Sequence, residues 1–227
     1  MTDIEDDDRV EASFDSFDPT ASSDERARDG DDSTNDGEWP VAISGVVESL
    51  VTTRGPNDRW NMAPLGLFGG SPVTATTWGT TRTRRNFERT GLGYVQFSTD
   101  PIVFVDAALS IVEFDDPVFD GADAWVRVEP TAIELGSEHG TEWVRWRLDP
   151  DSASVRNRRV PTISRAFGAV VEASVAASRL DLPQYDAECG LAIIERAGAI
   201  VDRTGNSRTR RAYERLRARV DERDDEC

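Results

Sequence analysis

Three hydroxyls, three guanidiniums and an amide crowd into seven consecutive residues: Thr80, Thr81, Arg82, Thr83, Arg84, Arg85 and Asn86. The run opens a short helical pattern, Thr83 to Gly91, with a hydroxyl placed to cap its start and a glycine to end it. A helix start offers free backbone N–H groups and the positive end of the dipole, and arginine forks match phosphate oxygens. The chemistry this composes is recognition of a phosphate-bearing anion. A capped surface helix whose arginines pair with surface carboxylates would read the same, and spacing alone leaves both open.

Two further groups lie close by. Trp60-Asn61-Met62-Ala63-Pro64-Leu65-Gly66 reads as a strand containing a proline, which belongs at a strand edge, end or bulge, where backbone groups stay free. Free groups of that kind suit a planar heterocycle; taken alone, the segment reads better as an edge strand without a ligand. Phe97-Ser98-Thr99-Asp100-Pro101 is a strand end turning into a helix, whose hydroxyls serve as caps or as ligand contacts.

Other chemistries lack their residues. The one histidine, His139, falls in a glycine-bounded turn, a poor foundation for a nucleophile triad. Gly91-Leu92-Gly93-Tyr94-Val95-Gln96 fails the dinucleotide fingerprint at its last position, and no phosphate-binding P-loop, zinc-protease or calcium-loop pattern occurs. Cys189 and Cys227 form no C-x-x-C pair, so disulfide and zinc architectures are not expected and no metal is called for.

The elements that must position these groups follow from periodicity. Strands are expected at Val46–Thr53, Trp60–Phe68 and Val73–Trp78 as a meander, then at Gly93–Ser98, Ala124–Leu135 and Thr141–Leu148. A second short helix is expected from Pro101 to Leu109. After Pro161 the period becomes helical, with helices ending near Leu180, from Ala187 to Arg203 and from Ser207 to Arg223. Small residues on the first of these (Ala166, Gly168, Ala169, Ala173, Ala176, Ala177) suit either core packing or a dimer contact. The expected fold class is mainly β with α: a small barrel carrying a helical C-terminal element.

The chain has 227 residues, 43 acidic and 26 basic, and every basic residue is arginine. Of the net charge of -17, the stretch 1–38 supplies -12, from 15 acids and three arginines; it reads as a disordered acidic tail. The remainder divides into a barrel domain at 39–150 and a helical extension at 151–227. Abundant carboxylates without lysine mark a salt-loaded cytosol, where screening shortens to a few ångströms. No membrane span, no secretion signal and no basic footprint for duplex nucleic acid are present, so a cytoplasmic protein without those partners is expected.

The order of segments resembles a known family. Glu48-Ser49-Leu50-Val51-Thr52-Thr53, the Asn61-to-Gly66 strand, the Thr83-to-Gly91 helix and the Ser98-Thr99-Asp100-Pro101 corner look like the FMN-binding split barrel. More narrowly they resemble the largely archaeal DUF447 family, whose helical extension is similar to Ser164-Arg165-Ala166 followed by Ala169–Ala173 and Ala177–Leu180. The resemblance covers about Ile43 to Leu216. It implies a homodimer binding FMN at the subunit interface: Asn61, Met62, Ala63 and Pro64 would face the isoalloxazine ring, Thr81, Thr83, Arg84 and Asn86 would hold the phosphate, and Ser98 and Thr99 would line the ring edge. The chain departs from the family in lacking lysine and in showing Ser164 where Asn-Arg-Ala is common. The function so implied is flavin-dependent hydride or electron transfer, with no side chain marked as a catalytic acid or base; the alternative is a non-catalytic dimeric binding or scaffold protein for a phosphorylated ligand.

Overall fold

A computed structural model describes residues 35–182 and 185–224. The expected acidic tail therefore lies, up to residue 34, outside the described residues. Eight strands and five helices follow in the order β1 (Asn35–Asp36), β2 (Val46–Arg54), β3 (Trp60–Phe68), β4 (Thr74–Trp78), α1 (Arg82–Thr90), β5 (Gly93–Phe97), α2 (Pro101–Leu109), β6 (Val112–Phe114), β7 (Ala124–Glu138), β8 (Thr141–Val155), α3 (Arg165–Ala177), α4 (Ala187–Thr204) and α5 (Ser207–Asp224).

Six strands, in the order β8-β4-β3-β2-β5-β7, form an antiparallel sheet that β7 and β8 close into a barrel. Two-residue β1 adds to β8, and β6 adds to β3. The interior is filled by alternating side chains, among them Val51, Leu65, Leu67, Val95, Val126, Val128 and Trp146. Helix α1 drops Phe87 into this core, its ring edge-on to Trp146 at 5.4 Å.

The hairpin between β7 and β8 is longer than its sequence suggested. Its turn is only His139-Gly140, both with positive φ (48° and 81°), which matches the twist of the flanking strands. Gly136, expected in the turn, lies inside β7 because the Trp143 ring covers it: a Cβ there would sit 2.3 Å from the indole.

Helix α2 joins barrel and extension, and being apolar nearly all round it is buried on two sides. Phe104 and Ala107 pack on Leu50 and Met62 of the barrel's outer face, while Val105 and Leu109 enter the core of α3, α4 and α5. That second core takes up Ala166, Ala169, Ala173, Ala176 and Ala177, so the small-residue face of α3 is core rather than a free surface.

Candidate functional site

Helix α1 has two chemically distinct faces. Arg82, Arg85, Asn86 and Arg89, spaced i, i+3, i+4 and i+7, share one side, which the helical period brings into register. They line a cleft of about 570 Å³ together with Asn61 at the start of β3, Gly55, Pro56 and Asn57 of the β2–β3 turn, and Glu113 of β6. Arg84 and Glu88 lie on another side, four residues apart and paired at 3.0 Å.

The cleft is cationic: three guanidiniums face one carboxylate. Glu113 accepts from Arg82 at 3.0 Å and from Asn57 Nδ2 at 3.0 Å, with Arg59 Nε at 3.8 Å. Arg89 donates to the Arg54 carbonyl and, at 3.3 Å, to Asn86 Oδ1. Asn86, buried, donates in turn to Thr53 Oγ1 at 3.0 Å. Arg85 is exposed, and its guanidinium has neither an ion pair nor a hydrogen bond among the described residues. The Asn61 amide is 5% exposed and likewise has no side-chain partner among them. Its polar atoms keep their contact with solvent in the cleft, since among the described residues no side-chain nitrogen or oxygen is buried without a partner, and they are open to a ligand atom.

Beside the cleft, β3 changes partner. On the edge away from β2 it pairs with β6 through Trp60–Met62 and with β4 only at Leu67 and Phe68. Ala63, Pro64, Leu65 and Gly66 lie in the gap, where Pro64 removes a donor that a continuous ladder would need. This is the split in the barrel. It gives a half-exposed strip of backbone leading away from the cationic cleft.

The residues expected to form a site are thus distributed unevenly. Asn61 and Asn86 line the cleft, and Ala63 and Pro64 lie on the adjoining split. Thr81 caps α1, its hydroxyl accepting from Arg84 N at 3.3 Å. Met62 is 1% exposed and its side chain belongs to the apolar layer under α2; Thr83 is buried and outside the cleft lining. Arg84 is clamped by Glu88, by Glu142 at 3.3 Å and by the Gly79 carbonyl at 3.2 Å; the Glu88 hydrogen bond chiefly holds its guanidinium above the ordinary value. Ser98 and Thr99 follow the far end of β5, since Tyr94 pairs with Thr52 toward the cleft and Gln96 with Leu50 away from it. Ser98 donates to the Gly121 carbonyl at 3.2 Å and accepts from Asp100 N, a corner-capping role. Arg82 and Arg85 belong to the arginine run singled out in the sequence but not to the set expected to hold the phosphate, and the cleft residues that the sequence reading did not name, Arg89, Asn57 and Glu113, divide into two kinds. The helical period from Arg82 marks Arg89; Asn57 and Glu113 reach the cleft only through the β3–β6 pairing.

A split antiparallel barrel with a helical extension and an arginine-lined cleft at a helix start defines the class of protein. The chain belongs to the DUF447 family: its N-terminal domain model matches residues 47–157 and its C-terminal domain model residues 164–218, both described as of unknown function. Among solved structures, the FMN-bound DUF447 protein of Methanosarcina mazei is similar over 78% of this chain and 96% of its own, with a TM-score of 0.67 and 23% identity. The flavin reductase of the styrene monooxygenase of Pseudomonas putida matches 53% of this chain and 96% of its own at 13% identity and a TM-score of 0.37. No curated protein matches the sequence.

Proposed function

We propose that this protein is a non-covalent FMN-binding flavoprotein, a homodimer that places its phosphate site at α1 and the flavin ring along the split in β3. The observation that carries the reading is the joining of an unpaired guanidinium, Arg85, and an amide open to the cleft, Asn61, beside a stretch of β3 that lacks a strand neighbour on one edge. The cleft volume lies in the range of about 300–1,000 Å³ usual for cofactor sites. Its excess of positive charge suits a phosphomonoester dianion, and Pro64 and its neighbours offer a flat backbone strip to a planar ring. The FMN bound by the Methanosarcina mazei relative supports the same reading.

When bound, FMN supplies hydride or electron transfer, and the reading therefore extends to a flavin-dependent oxidoreductase. The chain's part is to anchor and orient: Arg85 and Arg82 at the anionic end, Asn61 between the two ends, Asn86 in the cleft wall, and Ala63 and Pro64 along the split, while Thr81, Thr83, Arg84, Ser98 and Thr99 of the expected set lie outside the cleft lining. Glu113, the cleft's carboxylate, is held by two cations and an amide and serves to fix Arg82 rather than to shuttle protons. The lysine-free, acidic composition supports a cytoplasmic setting in a salt-adapted host.

Purified protein in high salt is expected to show a flavin absorption spectrum and to release FMN on denaturation. Arg85→Ala should weaken FMN by roughly 10- to 100-fold, the worth of a charge-assisted hydrogen bond, and Arg84→Ala by less, because Arg84 is already paired. A colourless protein that takes up no added FMN would sink the reading and favour a scaffold or another phosphorylated ligand. Where flavin is bound, bleaching by NADH or NADPH without oxygen would separate a reductase from a carrier.

A further inference from the structure

Two surfaces of this chain are each incomplete and complement one another. The first is the outer edge of β7. Its pairing with β5 stops at Val128, and from Glu129 to Glu138 that edge has no neighbouring strand among the described residues. A bulge leaves Ile133 without a register partner on β8, and Ile133 and Leu135 are 48% and 71% exposed. The strand is acidic, with Glu129, Glu134 and Glu138 all exposed. Long apolar edges are templates for another chain unless something covers them.

The second surface is the connection from β8 to α3. After Asn157 N donates to Asp123 O, residues 158–163 have no backbone hydrogen bond among the described residues, and every residue from Asn157 to Arg165 is exposed. Val160 is 86% and Ile163 101% exposed, an apolar pair displayed on an otherwise cationic segment. Arg158 and Arg165 make no ion pair among the described residues.

Within one protomer the two diverge. The connection leaves β8 at Val155, opposite Ala124, whereas the acidic edge runs from Glu129 to the hairpin tip, in strands of 15 residues that span about 50 Å. Between two copies related by a two-fold axis the match becomes reciprocal: each edge meets the other copy's connection. We infer that the 158–164 connection of one copy lies along the β7 edge of a second copy, Arg158 and the adjoining Arg165 facing Glu129 and Glu138 while Arg159 stays paired with Asp123 and Glu134 with Arg145 of their own chains, and Val160 and Ile163 covering Ile133 and Leu135. Pro161 has no amide to donate, so Val160 and Thr162 supply the donors toward the edge and Pro161 turns its own side outward.

This assignment rests on the homodimer in the function proposed above, and its test is chosen to fail separately from it. Light scattering on the full chain in high salt should give twice the chain mass. Ile163→Asp and Leu135→Asp should each raise the dimer dissociation constant by roughly 10- to 100-fold, the effect of losing one aliphatic side chain covered in the dimer, with an unchanged far-ultraviolet circular dichroism spectrum since both positions are exposed in the single chain. A wild-type monomer, or a dimer retained undiminished in the double variant, would overturn the interface. Flavin absorbance is read on the same samples: a yellow monomer overturns the interface and leaves FMN binding standing, and a colourless dimer broken by Ile163→Asp does the reverse.

Discussion

Gly93 begins β5 under the ring of Phe87, and a Cβ there would lie 2.7 Å from Phe87 Cε1 and 3.4 Å from Val51. Phe87 is itself fixed in the barrel core against Trp146, so it has little room to retreat. Gly93→Ala should therefore destabilise by about 1–3 kcal/mol through overpacking, read as a lower urea midpoint with an unchanged slope. Charge acts in the opposite sense at Glu48. Glu48 is exposed, yet partial loss of solvent around its carboxyl, aided by Glu172 and opposed by Arg179, raises its pKa above the ordinary value of 4.5, and the solvent that remains keeps the effect small. A carboxyl whose folded pKa is raised takes up a proton on folding, so its contribution favours the fold at acid pH and turns unfavourable as pH rises through the folded pKa. Glu48→Gln is expected to raise the urea midpoint at pH 7 and to leave it unchanged at pH 4. An equal gain at both values would mean that packing, not charge, is the cause.

At the scale of elements, α2 is the joint on which barrel and extension meet, and its first residue is doubly held. Asp100 caps α2 by accepting from Ile102 N at 3.0 Å, and it pairs with Arg208 of α5; a second pair, Arg215 with Asp106, repeats the contact about a turn and a half along the helix. Burial pushes the Asp100 carboxyl up, but the Arg208 hydrogen bond and the Ile102 amide outweigh it, and its pKa falls below the ordinary 3.8. Such a group stabilises above its unfolded pKa and loses that contribution as pH drops through the folded one. Asp100→Ala should then cost about 1 kcal/mol or more at pH 7, the worth of a cap, and the difference from wild type should shrink as pH falls below the ordinary 3.8. These elements were legible before the structure because they are periodic: β3 and α2 begin and end where alternation and the Asp-Pro signal place them. Other features were not legible. Strands β1 and β6 are too short to show a period, and β8 runs through Asp149-Pro150 to Val155 because β7 and β1 offer it partners there. The same limit applied to the site. Arg85 and Arg89 follow from counting along α1, whereas Glu113 reaches Arg82 across 31 residues of chain by a pairing no local pattern announces.

For the molecule as a whole, the question is what salt does to a chain of net charge -17 that also carries many ion pairs. The pairs are contacts: Arg82–Glu113 and Arg84–Glu88 close at 3.0 Å, Arg145–Glu134 at 2.7 Å. The repulsion between like charges acts over longer distances, and it is the longer distances that salt removes first, the screening length falling from about 10 Å at 0.1 M to about 3 Å at 1 M. Exposed pairs are worth at most about 1 kcal/mol each, so their partial loss is small beside relief of the net repulsion. The thermal midpoint should therefore rise between 0.1 M and 1 M NaCl. Twelve of the seventeen negative charges belong to residues 1–38, and only -5 remains on 39–227. A chain beginning at residue 35, which keeps β1, should show a smaller rise if the repulsion between that acidic stretch and the rest contributes to it. A midpoint that falls with salt in the full chain would instead assign its stability to the arginine–carboxylate pairs, and would make the absence of lysine a matter of pairing geometry rather than of solubility.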